Sequence, residues 1–490
     1  MAPTAVEAEN DSEPIRQRLV RGVAWTAAGK LSTQLVTGSS VVWLARLLSP
    51  ADFGIVAMAR AFLGVSNALA EFGLSNAIMN LRDIEGRTLA QLNTAALVLC
   101  ALIFGVCVVA APLIGGFFGA EGLTDLVRVN SVALLLSGVQ IIPIGLLKRR
   151  QDYKRLAVLE GTQVTLRAIL VTAFALAGWG YWSIVAGGLV ARGAAVGMAW
   201  NWARVGAAVP RWADIRRPVM FGGQVTIAGV SGTIVSQADA AVIGRMLGDS
   251  LLGAYRMAID LARMPSERVS ELVLRVTGPH FAAINTSKTL TREYYTKILE
   301  VLLVLSAPLS FGLALVAEEV VVVVLSEQWR PAIAPLRALA LLGTLAAAGS
   351  LTSQVLVSQG HTRFVMNLSI VKSLILAAAF VAGARWGIQG VAIAWIFVEP
   401  VAVLINILVL RHVVGLEIRE LLRVSAPAGV PTLVIGVAAT RGKGGLPGAA
   451  PSPLLQLAGL IALGGVTYVF VMVTLFSART RRYVAVLRRS

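Results

Sequence analysis

Charged residues are scarce in this chain of 490 residues. They make up only 14% of it, whereas hydrophobic residues make up 57%, and the mean hydropathy is +0.76. A soluble globular domain carries roughly 25% charged residues. The composition therefore excludes an ordinary soluble protein and indicates a chain that lies largely within a membrane.

Cysteine and histidine are also rare. Cys100 and Cys107 lie seven residues apart on one predicted helix; this separates their Cα atoms by roughly 10 Å, whereas a disulfide tolerates at most about 7 Å. We expect both to be apolar packing residues and predict no metal site, redox pair or cofactor. The three histidines fall at predicted cytoplasmic helix ends, at His280, His361 and His412. No polar stretch is long enough for a separate catalytic domain, so an enzyme is disfavoured.

Apolar runs of about 20 residues, the length of a helix that crosses a hydrocarbon core of roughly 30 Å, recur along the chain. About 14 such spans are predicted, at residues 22–46, 53–79, 91–114, 124–147, 155–178, 182–203, 219–245, 252–277, 294–316, 332–358, 364–384, 388–410, 420–440 and 453–477. The sequence therefore predicts an all-α polytopic membrane protein.

The net charge of +17 is explained by topology rather than by nucleic-acid binding. Lys and Arg concentrate in the segments that are cytoplasmic if the amino terminus lies inside, above all in 148–155, 211–217 and 479–489. The loops of the opposite side hold only Arg330, Arg385, Arg441 and Lys443. Because cytoplasmic loops carry the excess of Lys and Arg, both termini are predicted to be cytoplasmic. The basic blocks are expected to anchor the chain at lipid headgroups.

A segment of the first half recurs in the second half. Residues 45–54 align without a gap, at an offset of 199, with residues 244–253, and the match continues through Met58-Ala59 against Met257-Ala258. Repeats of this kind are typical of two-lobed transporters, in which the substrate path lies where the lobes face each other. Each repeat holds six helices, an even number, so the lobes are predicted to be related by a parallel pseudo-two-fold axis along the membrane normal.

The repeat divides the chain into five predicted segments. They are a flexible cytoplasmic tail at 1–20, a first lobe at 21–203 with helices 1–6, a cytoplasmic linker at 204–217, a second lobe at 218–412 with helices 7–12, and a carboxyl-terminal helix pair with a basic tail at 413–490. The tail carries four acidic residues and no apolar h-region, so we do not expect a cleavable signal peptide.

Several Lys and Arg fall inside the predicted spans, where each is unfavourable by about 2.5–3.5 kcal/mol at the bilayer centre. The helix at 252–277 is the most charged, and Asp260, Arg263, Glu267 and Glu271 follow one another at spacings of 3, 4 and 4, on one helical face. Such a face must border water or other protein. We therefore predict a central cavity with cationic excess, suited to a ligand that bears phosphate or another anion.

The predicted substrate-binding cations of this cavity are Lys30, Arg60, Arg256 and Arg263, with Arg192 and Lys372 as further candidates. Internal neutralisation is the alternative, because Arg263 and Glu267, for example, form an i, i+4 pair. Lys372 could instead close a salt bridge between helices.

Three carboxylates lie at membrane depth in the prediction, at Asp239, Asp260 and Glu399. They could exchange a proton or hold a cation during transport, or they could balance nearby basic residues. The sequence does not separate these roles, and it names no coupling ion.

Several short runs carry a family resemblance. They are Leu44-Ala45-Arg46-Leu47-Leu48-Ser49-Pro50-Ala51-Asp52-Phe53-Gly54, Glu71-Phe72-Gly73-Leu74-Ser75, Leu147-Lys148-Arg149-Arg150-Gln151-Asp152-Tyr153 and Leu252-Gly253-Ala254-Tyr255. Across residues 20–415 the chain resembles the Wzx-type polysaccharide flippases of the multidrug, oligosaccharidyl-lipid and polysaccharide exporter superfamily, in the branch that exports colanate, teichuronate and exopolysaccharide.

The resemblance implies a bacterial inner-membrane carrier that moves an undecaprenyl-diphosphate-linked oligosaccharide to the periplasmic leaflet by alternating access. It also implies a polysaccharide polymerase and co-polymerase as candidate partners, and membrane lipid as the surroundings. A cation-coupled multidrug exporter of the same superfamily is the alternative within transport. A non-transporting scaffold or a membrane enzyme of polysaccharide assembly is a further alternative.

Overall fold

The computed structural model describes residues 33–34, 36–71, 73–75, 78, 86–284, 287–445 and 453–476. Their helices are α1 (36–47), α2 (Pro50–Glu71), α3 (Gly86–Phe118), α4 (Leu123–Arg149), α5 (Tyr153–Leu176), α6 (Trp182–Trp202), α7a (Trp212–Ser236), α7b (Ala238–Leu247), α8 (Asp249–Ala283), α9 (Lys288–Leu315), α10 (Ile333–Ser358), α11 (Thr362–Gly383), α12 (Gly387–Val414), α13 (Ile418–Gly445) and α14 (Pro453–Leu475). No strand occurs in these ranges. An all-helical fold is expected of so apolar a chain, since a helix satisfies its backbone polar groups without water.

Nine stretches of the described residues are long and apolar enough to cross a membrane. They are Pro50–Glu71, Gly86–Phe118, Leu123–Arg149, Tyr153–Leu176, Trp182–Trp202, Lys288–Leu315, Glu327–Ser358, Thr362–Val414 and Pro453–Leu475. The charged α8 is not among them. The chain is therefore a multi-pass membrane protein, while the total of about 14 spans, the parallel repeat and the side on which the termini lie stay predictions.

The helix predicted at 219–245 is interrupted, which the apolar pattern did not indicate. The break lies at Gln237, between α7a and α7b, where the backbone N–H is shared between the carbonyl oxygens of Thr233 and Ile234 at 3.2 and 3.3 Å. A shared bond of this kind marks a helical end that tightens toward 3₁₀ geometry. Hydropathy reports which residues are apolar but carries no information on such a local change of pitch.

The chain forms two compact units, one ending at Ala241 and the other beginning at Val242. In the first unit α7a packs against α2 and α3. The sequence assigned 218–241 to the second lobe, so this division by contacts falls later than the predicted linker at 204–217. The assignment of lobes by the repeat stays a prediction.

In the first unit, α3 packs along α4, α5 along α6, and α4 against α2 and α6. The two cysteines lie in this packing: both thiols are free and buried, with Cys107 Sγ 3.2 Å from Ser66 Oγ and Cys100 Sγ 3.7 Å from the Ala70 carbonyl oxygen. A Cβ at Gly138 would stand 3.0 Å from that of Cys100, so α3 and α4 approach closely there. The expectation that both cysteines are packing residues is confirmed.

The run Ser49-Pro50-Ala51-Asp52 closes the start of α2 as a capping box. Asp52 N donates to Ser49 Oγ at 3.2 Å, and Asp52 Oδ2 accepts from Ser49 N and Oγ at 2.9 and 2.7 Å. The other oxygen, Oδ1, accepts from Tyr181 N at 2.9 Å. Pro50 occupies the first helical position, where no N–H is needed. This part of the family signature therefore ties α2 to the turn before α6.

In the second unit, α10 packs against α8, α9 and α12, and α11 packs along α12. A Cβ at Gly343 would stand 2.6 Å from Ser310 Oγ and 3.0 Å from Ser266 Oγ, so α8, α9 and α10 meet closely at this glycine. The last helices belong to the same unit, because α13 packs on α9 and Tyr468 Oη of α14 donates to the Val304 carbonyl oxygen at 2.7 Å.

Candidate functional site

Helix α8 has one packed face and one charged face. Its apolar face, with Tyr255, Ala258 and Ala262 fully buried, lies against the rest of the second unit. Four ionisable side chains on the other face are all exposed, namely Asp260, Arg263, Glu267 and Glu271. The apolar residues of α8 thus fix the helix, and the side that carries these four ionisable groups is exposed.

Arg263 is held on this face by an aromatic ring. Its guanidinium carbon lies 5.1 Å from the centroid of the Trp395 ring on α12. Among the described residues, no carboxylate lies within 4 Å of this guanidinium, Glu267 included. An arginine over an indole face is attracted by the ring quadrupole, and this contact leaves its outward N–H donors unoccupied. The expected i, i+4 pair of Arg263 with Glu267 is therefore not formed.

The Trp395 ring is itself fixed in place. Its Nε1 donates to Tyr255 Oη at 3.0 Å, and Tyr255 is fully buried. Phe380 of α11 packs against the same indole, with ring centroids 5.7 Å apart. A buried tryptophan N–H needs an acceptor, so the hydrogen bond to Tyr255 sets the orientation of the indole beneath Arg263.

Lys372 and Glu399 form an ion pair between α11 and α12. Lys372 Nζ lies 3.2 Å from Glu399 Oε2 and 3.5 Å from Oε1, and the two side chains are 28% and 12% exposed. Glu399 follows Trp395 by four residues, so both face the same side of α12. The positive charge of Lys372 is compensated here, which is the salt bridge that the sequence left open as an alternative.

In the first unit, Arg192 reaches a hydroxyl group rather than a carboxylate. Its Nη2 donates to Ser137 Oγ at 2.6 Å, and its buried Nε has no hydrogen-bond partner among the described residues. Glu71, at the end of α2, lies within electrostatic range of this guanidinium. Arg60, on the same helix as Glu71, is exposed.

Three of the remaining predicted site residues lie on α8 and α7b. Arg256 is partly buried on α8, Asp260 is exposed one turn further along, and Asp239 is buried in α7b with its Oδ1 2.7 Å from Ala240 N. Lys30 lies outside the described residues. Within the described ranges, no group of three or more His, Cys, Asp or Glu side chains converges as metal ligands would.

Sequence reasoning missed Trp395, Tyr255 and Phe380. Tyr255 stands in the run Leu252-Gly253-Ala254-Tyr255, which carried part of the family resemblance but no chemical role. Trp395 could have been singled out from the sequence, because an indole N–H inside an apolar helix requires a hydrogen-bond acceptor nearby. Which acceptor it uses, 140 residues away along the chain, follows only from the fold.

Comparisons with known sequences agree with this architecture. A family described as "Polysaccharide biosynthesis protein" matches residues 43–334, more than half of the chain. The lipopolysaccharide biosynthesis protein WzxC of Escherichia coli K12 is 23% identical over 447 residues, which cover 86% of this chain and 88% of that protein. The succinoglycan biosynthesis transport protein ExoT of Rhizobium meliloti is 29% identical over 316 residues, which cover 64% and 63% of the two chains.

Solved structures share the fold. The lipid II flippase MurJ, in an inward closed conformation, superposes with a TM-score of 0.75 at 14% identity and covers 94% of this chain and 100% of its own. An inward-facing multidrug transporter of the MATE family and MOP superfamily superposes with a TM-score of 0.58 at 17% identity, over 78% and 94%. At such identities the likeness establishes the fold and nothing about the substrate.

Proposed function

The chain belongs to the family of polysaccharide biosynthesis proteins, and on that premise we propose that it flips an undecaprenyl-diphosphate-linked oligosaccharide repeat unit across the bacterial inner membrane. The unit would move from the cytoplasmic to the periplasmic leaflet for export of a surface or exopolysaccharide. The names of WzxC and ExoT, which refer to lipopolysaccharide and succinoglycan biosynthesis, support this substrate class.

The observation that carries the proposal is the guanidinium of Arg263 on the charged face of α8, which contacts an aromatic ring rather than a carboxylate. A diphosphate is the permanent anion of such a lipid, and arginine binds phosphate through a planar fork of N–H donors. Arg263 keeps these donors available because an aromatic ring, and not a carboxylate, supports it. We assign it the primary contact with the diphosphate.

The other predicted site residues are assigned to binding, to helix packing or to charge balance. Arg256 lies two turns before Arg263 on α8 and would add positive charge to the same helix. Arg60, Arg192 and Lys30 stay proposed substrate-binding cations. Lys372 is compensated by Glu399, so we assign this pair to the packing of α11 on α12 rather than to binding. Asp239 and Asp260 are proposed to balance charge or to couple transport to an ion.

The transport cycle is proposed to be alternating access, as the family resemblance implies, with both termini in the cytoplasm, as the distribution of Lys and Arg predicts. A polysaccharide polymerase and co-polymerase are the proposed partners. The proposal contains no covalent step, so no catalytic residue is assigned.

A multidrug exporter is the second candidate function. It is favoured by the buried carboxylate of Asp239, since a carboxylate at membrane depth is suited to a cation. The arginine on α8, which contacts a ring rather than a carboxylate, favours the anionic lipid.

The test is leaflet translocation in proteoliposomes that contain a fluorescent lipid-diphosphate-linked oligosaccharide. The outer-leaflet fraction is measured with a membrane-impermeant lectin, for the intact protein and for Arg263→Ala and Arg60→Ala. Loss of charge-assisted hydrogen bonds predicts a rise in apparent KM of roughly ten- to hundredfold for Arg263→Ala. Arg128→Ala removes an arginine from an exposed pair with Asp125, 3.3 Å apart, and serves as the matched control with unchanged transport.

The outcomes separate the alternatives. If the intact protein moves cationic drugs and not the lipid, the flippase proposal is wrong. If it moves the lipid and both arginine variants match it, flipping stands and the cationic site is wrong.

A further inference from the structure

The Trp395 ring supports Arg263, and Tyr255 holds that ring in place. Ring, hydroxyl and guanidinium come from two helices, α8 and α12. Tyr255 and Arg263 stand eight residues apart on α8, about 12 Å along its axis, and Trp395 reaches both of them from α12. The Trp395 indole therefore contacts α8 at two positions that are about two turns apart.

We propose that Trp395, oriented by its hydrogen bond to Tyr255, is the positioning residue that holds the Arg263 guanidinium ready for the anionic group of the substrate. This inference rests on the proposed function and adds to it a reason for the arrangement of aromatic residues. Neither Trp395 nor Tyr255 contacts the substrate in this scheme; both act through Arg263.

An aromatic support and a carboxylate support have different consequences for an arginine. A carboxylate fixes the guanidinium by occupying its N–H donors and cancelling its charge. A ring face attracts the cation and leaves the outward donors and the charge available. On the same face of α12, one turn beyond Trp395, Glu399 compensates Lys372 instead. Lys372 is thus paired with a carboxylate, whereas Arg263 contacts a ring that leaves its outward N–H donors available to a ligand.

The hydrogen bond to Tyr255 makes the support directional. Without an acceptor, the indole N–H would be unsatisfied in apolar surroundings, and the ring would turn to find one. The buried Tyr255 fixes the N–H edge, and Phe380 closes the packing around the ring. Arginine side chains lose much rotamer freedom on binding, so an arginine already held in place binds its anion more tightly.

The experiment is a double-mutant cycle in the proteoliposome assay, with apparent KM and kcat determined separately. Trp395→Leu is expected to raise the apparent KM by roughly two- to thirtyfold, the range of a cation–π contact, with little change in kcat. In an Arg263→Ala background the same substitution is expected to leave the apparent KM unchanged, because the guanidinium that Trp395 positions is then absent. Trp386→Leu, at a tryptophan that is 74% exposed, is the matched control.

Tyr255→Phe gives an independent measurement that removes a single oxygen and preserves the packing. It is expected to raise the apparent KM in the same direction as Trp395→Leu and to be silent in the Arg263→Ala background. Thermal unfolding in detergent is measured for every variant, so that a folding defect in Trp395→Leu is detected and the cycle is then read from Tyr255→Phe.

Additive effects of Arg263→Ala and of the Trp395 or Tyr255 variant would overturn the positioning role while leaving the flippase in place. Unchanged KM in both aromatic variants would also overturn it. Failure of the proposed function looks different, since the intact protein would then not translocate the lipid at all.

Discussion

Removal of Lys372 separates a structural role for this lysine from a binding role. In Lys372→Met the carboxylate of Glu399, 12% exposed, loses the ammonium that lies 3.2 Å away. The attraction across that distance is roughly 5 kcal/mol at an effective dielectric constant of 20, and the desolvation of both groups offsets most of it. Breaking one side of a buried pair destabilises by about 3–5 kcal/mol. Because Lys372 is 28% exposed, we expect the lower end of this range, about 3 kcal/mol.

The assay is thermal unfolding in detergent, followed by translocation in proteoliposomes. For a unit of this size, about 3 kcal/mol lowers the midpoint of unfolding by roughly 6–12 °C. Lys372→Met combined with Glu399→Gln removes both charges and is expected to recover to within about 1.5 kcal/mol, with transport close to that of the intact protein. Lys297→Met breaks an exposed pair with Glu293 at 3.9 Å and is the matched control, with an effect below about 0.5 kcal/mol.

One result would refute this reasoning. If Lys372→Met unfolds at the temperature of the intact protein but loses transport, and if the double variant does not restore it, Lys372 contacts the substrate. The lysine would then return to the set of binding cations that the sequence predicted.

Three further predictions concern the framework around the site. Asp52→Ala removes the capping box of α2 and leaves Tyr181 N without its acceptor, so thermal stability in detergent should fall by about 1–3 kcal/mol; an unchanged midpoint would contradict the capping role. Arg292→Ala removes bonds from Nε and Nη2 to the Glu420 carboxylate, both 2.7 Å, and should make α13 more accessible to proteolysis, whereas equal cleavage rates would contradict it. Gly343→Ala places a Cβ against two buried serines and should destabilise by about 1–3 kcal/mol, whereas a stability equal to that of the intact protein would show that α8, α9 and α10 can separate there.

The charged face of α8 was predictable because it is a local property. Helical periodicity alone puts Asp260, Arg263, Glu267 and Glu271 on one side, and the structure exposes all four. What each charge contacts was not predictable. The i, i+4 rule favoured Glu267 for Arg263, but an exposed pair of this kind contributes only a few tenths of a kcal/mol, so the Trp395 ring takes the guanidinium instead.

The division of the chain depends on the criterion used. The repeat placed the linker at 204–217, whereas contacts group the residues up to Ala241 with the first unit. A repeat shows which segments share an origin, whereas a division by contacts shows which helices pack together. Helix α7a packs on α2 and α3 of the first unit. The two criteria need not agree at a helix that leads from one repeat into the next.

The sequence by itself determined that this is a multi-pass helical membrane protein of the family of polysaccharide biosynthesis proteins, since composition, hydropathy and short motifs can be read without the tertiary structure. It also determined that charges line one face of α8. Only the tertiary structure decided that Lys372 is neutralised by Glu399 while Arg263 is supported by Trp395 and Tyr255. These partners lie 27, 132 and 140 residues apart, and such distant pairs meet only when helices pack, so their selection depends on packing and desolvation and not on any local pattern.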